Sequence, residues 1–211
     1  MDTRFFRDWV TEIAAVVERE RDHLTQLDAA IGDADHGINL SRGFSAVTSA
    51  LREQDPDTPG AVLRLTGVTL ISTVGGAAGP LYGTAFRRAA RSLGDHPGAS
   101  LPALAEALKA AVEGVRKLGA ASEGDKTMVD ALAPAVAAFA KAVDDGADAG
   151  AALEALTEAA DAGAAATVGM QALKGRASYL GARSVGHEDP GAASSALMLR
   201  ALRDVAARQP E

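Results

Sequence analysis

The stretch TRFFRDWVTEIAAVVERERDHL (3–24) places Phe6, Trp9, Ile13, Val16 and Val17 at helical spacing, with charged residues between them. That period describes an amphipathic helix with one buried face. The same reading extends along the chain. A second helix is predicted from about Gly37 to Arg52, broken by Asp55-Pro56-Asp57-Thr58-Pro59-Gly60. A third runs from Ala61 to about Val74 and stops at Gly75-Gly76, and Pro80 suits the first turn of a fourth, which Asp95-His96-Pro97-Gly98 ends. Leu101, Leu104, Leu108, Val112 and Val115 mark a fifth, and Gly119 and Gly124 bracket the loop after it. Asp125 is the expected N-cap of a sixth, carrying Met128, Leu132, Val136, Phe139 and Val143, with Asp144-Asp145-Gly146 at its end. A seventh, alanine-rich helix is expected over 150–172, then an irregular stretch to Gly186. Asp189-Pro190 opens a last helix whose inward stripe is Met198, Leu202 and Val205.

Composition agrees. Alanine is abundant and aromatic residues make up 4% of the chain, which favours helices over strands. The expectation is an all-α single domain over 1–211, a bundle or barrel of about eight antiparallel helices. The Ala- and Gly-rich stretch 146–166 fits a closely packed helix better than a linker, since small side chains let helix axes approach. With 21 basic against 28 acidic residues the net charge is −7, which argues against a nucleic-acid binder. Without cysteine, disulfides and thiolate metal sites are excluded. The charged N-terminal stretch is unlike a secretory signal, and no run approaches the roughly 18–20 apolar residues of a membrane span. The expected location is the cytosol.

Chemistry concentrates in DAAIGDADHGIN (28–39). Asp28, Asp33 and Asp35 lie within eight residues, and like charges that close repel unless a cation screens them. Carboxylate oxygens suit a hard divalent ion such as Mg²⁺. Any one of these aspartates alone would read as a helix cap or surface residue. His36 and Asn39 fall at a helix start, where free N–H groups favour phosphate, although both residue types also serve in plain loops. In STVGGAAGPLYGT (72–84) four glycines lie between 75 and 83. They fit a backbone that closely approaches phosphate, and for Gly83 helix-on-helix packing is the better reading. No standard phosphate-loop motif is present. On spacing alone Met128 is a core residue. Arg176 is equally consistent with a surface position and with a paired contact to phosphate. His187-Glu188-Asp189-Pro190-Gly191 reads as a capped helix start.

Taken in order, LDAAIGDADHGINLSRGF (27–44), STVGGAAGPLYGTAF (72–86), GDKTMVDALAP (124–134) and GRASYLGARSVGHEDPGAAS (175–194) resemble the L subunits of dihydroxyacetone kinases. The resemblance implies a barrel of eight antiparallel helices with a nucleotide at one end. It implies Mg²⁺, two ions in the family, held by Asp28, Asp33 and Asp35. ADP or ATP would be contacted by His36, Gly37, Ile38, Asn39, Ala77, Ala78, Gly119, Met128, Arg176, Asp189, Pro190 and Gly191. Met128 would then pack on the adenine, and Arg176 is the candidate for the transferred phosphoryl group. The implied activity is a phosphoryl relay. Phosphate would come from a phosphohistidine of a phosphotransferase-system partner and pass to dihydroxyacetone held covalently on a separate K subunit. Alternatives within the resemblance are the nucleotide domain of an ATP-dependent kinase with another acceptor, or a module that binds a transcription regulator. Two positions depart from the family pattern: Ala34, where the family often has glycine, and Ala78, where it often has serine.

Overall fold

A computed structural model of the chain describes residues 1–208. The fold is all-α. Its α-helices are α1 (Thr3–Arg19), α2 (Arg21–Ile31), α3 (His36–Gln54), α4 (Pro59–Thr73), α5 (Ala78–Leu93), α6 (Leu101–Gly119), α7 (Met128–Asp144), α8 (Ala149–Ala166) and α9 (Pro190–Ala207). Two 3-10 segments, Thr167–Gly169 and Arg176–Ser184, lie between α8 and α9.

The first helix departs from expectation. It breaks at Glu20 and resumes as α2, which runs to Ile31, beyond the stretch 3–24 read as helix. Both pieces pack in succession on the same neighbours, α3 and α9. Among the described residues the chain therefore makes eight rods, the first of them broken. Each packs on the next, from α3 through α9, and α9 returns to α1 to close a ring. The Trp9 indole N–H donates to the Met198 carbonyl at 3.0 Å across that closure. Phe5, Phe6, Phe44, Phe139, Leu40 and Leu153 are among the large side chains fully buried inside.

Close approach between rods uses glycine where sequence reading placed it. A Cβ on Gly83 of α5 would fall 2.6 Å from the Gly67 carbonyl of α4, and one on Gly67 would fall 2.6 Å from the Gly83 carbonyl. The two backbones touch at that pair. The alanine-rich segment is indeed a packed helix, with Ala152, Leu153, Leu156, Ala160 and Ala164 buried, but it ends at Ala166 and not near 172.

Alternation gives the ring two unlike ends. α1, α4, α6 and α8 start at one end, where the side chains of Asp2, Thr58, Ser100 and Asp148 cap them. α3, α5, α7 and α9 start at the other. There Thr127, not Asp125, caps α7, in a reciprocal box with Asp130. Asp189 caps α9 as expected, through a 2.8 Å bond from the Ala192 N–H. The N-cap residues of α3 and α5, Asp35 and Ala77, make no side-chain cap, and the first N–H of α3 goes instead to Asp28.

Candidate nucleotide and metal site

The acidic cluster forms at that second end. Leu24, Asp28 and Ile31 are the buried residues of α2, spaced i, i+4, i+7, so Asp28 sits where the helical repeat calls for an apolar side chain. Its Oδ2 accepts the N–H groups of Asp35 (2.9 Å) and His36 (3.1 Å), which tie the end of α2 to the start of α3. The turn between them is tight. A Cβ on Gly32 would lie 1.9 Å from Asp28 Oδ1, and Ala34 takes the left-handed conformation at φ 61°. The result brings one carboxylate oxygen each from Asp28, Asp33 and Asp35 within 4.8 Å of one another. Three hard oxygen donors gathered this way fit Mg²⁺, which would neutralise them and leave coordination positions for water and phosphate. The cation already present is Arg176, whose guanidinium meets Asp33 at 3.0 Å.

The cluster opens into a cleft of about 330 Å³. Of the residues singled out from sequence, Asp28, Asp33, Asp35, His36, Asn39, Ala77, Ala78, Gly119, Met128, Arg176, Asp189, Pro190 and Gly191 line it together. Gly37 and Ile38 do not. Gly37 packs α3 on α2, since a Cβ there would fall 2.0 Å from the Arg21 carbonyl, and Ile38 is half exposed on the outer face beside Arg21 and Arg42. One wall is the Gly75–Ala78 turn leading into the uncapped start of α5, and the opposite wall is Pro190-Gly191 at the start of α9. The free N–H groups at the start of α5 and the positive dipole ends of both helices favour an anion, the first N–H groups of α9 being bonded to Asp189. Leu81, Val115, Ala121, Met128 and Val129 supply an apolar side suited to a flat ring.

A family model described as the DAK2 domain matches residues 30–204. The chain belongs to the DAK2-domain family. It is 43% identical over 195 residues to the ADP-binding subunit of the PEP-dependent dihydroxyacetone kinase of Escherichia coli, covering 92% of this chain and 93% of that subunit. It is 38% identical to the triokinase/FMN cyclase of Homo sapiens, over 87% of this chain and 32% of that longer protein. Among solved structures, the dihydroxyacetone kinase of C. freundii in complex with AMP-PNP and Mg²⁺ superposes with a TM-score of 0.72 at 29% identity. That match covers 94% of this chain and 33% of the kinase chain.

Around this DAK2 cleft lies a polar scaffold that sequence reasoning passed over. His36 Nε2 is 2.9 Å from Ser194 Oγ, which is 2.7 Å from the Tyr82 hydroxyl. That hydroxyl also meets Ser195 Oγ and donates to the Gly191 carbonyl at 3.0 Å. One chain of bonds thus joins the starts of α3, α5 and α9. Burial lowers the His36 pKa, so the ring is neutral at neutral pH, and burial pushes the Tyr82 phenol up to about 12. Burial also lifts the Asp189 carboxyl to about 7, the nearby Asp130 charge adding to the effect and the α9 N–H bonds and Lys126 opposing it. Lys126 is 1% exposed, and burial lowers its pKa. Thr127 and Asp130 had a legible signal, the T-x-x-D spacing of a capping box. Lys126, Tyr82 and Ser194 had none beyond their place in the matched stretches.

Proposed function

We propose that this chain is the nucleotide-binding subunit of a dihydroxyacetone kinase, holding Mg-ADP/ATP as a relay for one phosphoryl group. The observation that carries this reading is the placement of three convergent carboxylates, gathered at the start of α3, in one cleft with the uncapped start of α5. Asp28, Asp33 and Asp35 would hold Mg²⁺, one ion or two. The metal supplies charge neutralisation for the phosphates, which phosphoryl transfer needs more than covalent help from protein groups. The N–H groups at the start of α5 and the positive dipole ends of α3 and α9 orient the diphosphate, and Met128 packs on the base. Arg176 is free to turn from Asp33 toward the transferred group, where paired donors suit phosphate.

Both ends of the relay lie on partners: a phosphotransferase-system phosphohistidine as donor, and a K-type subunit carrying covalently bound dihydroxyacetone as acceptor. The cleft rim supports docking there. Ile38, Ile71, Leu118, Leu173 and Tyr179 are exposed around the same end of the ring, and Tyr179 is 88% exposed. An ATP-dependent kinase with another acceptor is the second reading, favoured by the likeness to a third of the longer triokinase/FMN cyclase. The test is to measure nucleotide on the purified protein, then add phosphoenolpyruvate with a phosphotransferase extract. The relay predicts retained ADP that becomes ATP on the protein. Rapid exchange with free ATP, without response to phosphoenolpyruvate, favours the second reading, and no Mg²⁺-dependent nucleotide binding refutes both.

A further inference from the structure

The segment from Thr167 to His187 carries Arg176 over the cleft, yet little apolar burial holds it. Ser184 is the one buried residue of its 3-10 segment, and Leu173 and Tyr179 point outward. What converges on it is the Lys126 side chain, fully enclosed from the other side of the cleft. Its Nζ donates to the carbonyls of Thr167 (2.9 Å), Met170 (3.1 Å), Ser184 (2.7 Å) and His187 (2.5 Å). Four carbonyl acceptors around one nitrogen call for the protonated ammonium, whose three N–H groups they share. Among the described residues no carboxylate lies within ion-pairing distance of it, so carbonyl dipoles carry the charge. Its backbone sits at φ 61°, a conformation in which glycine would be less strained.

We propose that Lys126 is a positioning residue, a built-in cation that gathers the 167–187 segment and holds Arg176 at the cleft. Its neighbour on the chain, Asp125, adds a backbone bond, accepting from the Leu173 N–H at 3.0 Å. The GDKT turn thus clamps the segment on one side, while Thr127 and Met128 shape the cleft on the other. A lysine suits the role because it is a compact point charge, whereas a planar guanidinium would not fit a four-carbonyl cage. The consequence for nucleotide retention rests on the function proposed above; the clamp itself does not.

The experiment uses the full chain with Lys126→Met, Arg176→Ala and the double substitution. First, hydrogen exchange is followed without nucleotide. The Ala172, Leu173 and Gly186 amides, each bonded within or to the clamped segment, should exchange about tenfold to a hundredfold faster in Lys126→Met, with α3 to α7 unchanged. Second, dissociation of fluorescent Mg-ADP is timed. Each single variant should speed release, and the double should be no faster than the faster single, because both remove the same contact. Unchanged exchange at those amides overturns the clamp even if nucleotide binding is as proposed. Multiplying effects on release overturn the link to Arg176. A Lys126→Met chain that loses its helices also contradicts the proposal, because the ammonium would then hold the whole ring and not the segment.

Discussion

Ala34 occupies a left-handed backbone position between two of the three clustered aspartates. A Cβ in that region costs about 1–2 kcal/mol, which explains why glycine suits this turn. Ala34→Gly should therefore stabilise the chain by about 1 kcal/mol in urea unfolding, part of the gain being offset by a freer unfolded state. Asp189 gives a pH signature. Its carboxyl holds a proton up to about 7 in the fold, against an ordinary 3.8. Between those values unfolding releases a proton, so stability falls as pH rises, by at most about 1.4 kcal/mol per unit. Asparagine caps a helix as well as aspartate does. Asp189→Asn should accordingly flatten that decline between pH 4 and 7 in thermal melts, and a slope equal to wild type would contradict the assignment. The carboxylate cluster was legible because like charges so close in sequence need a reason. Lys126 and Tyr82 were not, because their partners lie 41 to 113 residues away.

At the scale of elements, helix existence was read well and helix ends less so. The break at Glu20 carries no glycine or proline, and α2 was hidden because an aspartate fills a core position of its repeat. Asp125 was the expected cap, although the T-x-x-D box starts two residues later, at Thr127. That box joins α7 to the cleft, and Thr127→Ala should cost about 1 kcal/mol of stability. Gly83→Ala should cost about 1–3 kcal/mol, because its methyl meets the Ile71 side chain and also the Gly67 carbonyl of α4, and that backbone cannot move aside. Both are measured by chemical denaturation, and a neutral Gly83→Ala would show that α4 and α5 can part.

At the scale of the molecule, an even number of rods in alternating directions puts every second helix start at one end. Four starts at the far end are closed by their own side chains, while at the cleft end α5 is left open and α3 starts among three carboxylates. Sequence order could not show this, since the matched motifs are spread from residue 27 to 194 and meet only when α9 closes on α1. Positive dipole ends and a carboxylate cluster facing each other suit a metal with an anion between them better than either alone. The direct measurement is calorimetric titration of ADP with and without Mg²⁺, on the wild-type chain and on Asp35→Asn. The account predicts Mg²⁺-dependent binding that weakens more than about tenfold in the variant, with helical content unchanged. Equal Mg²⁺-dependent affinity in the two proteins would contradict it.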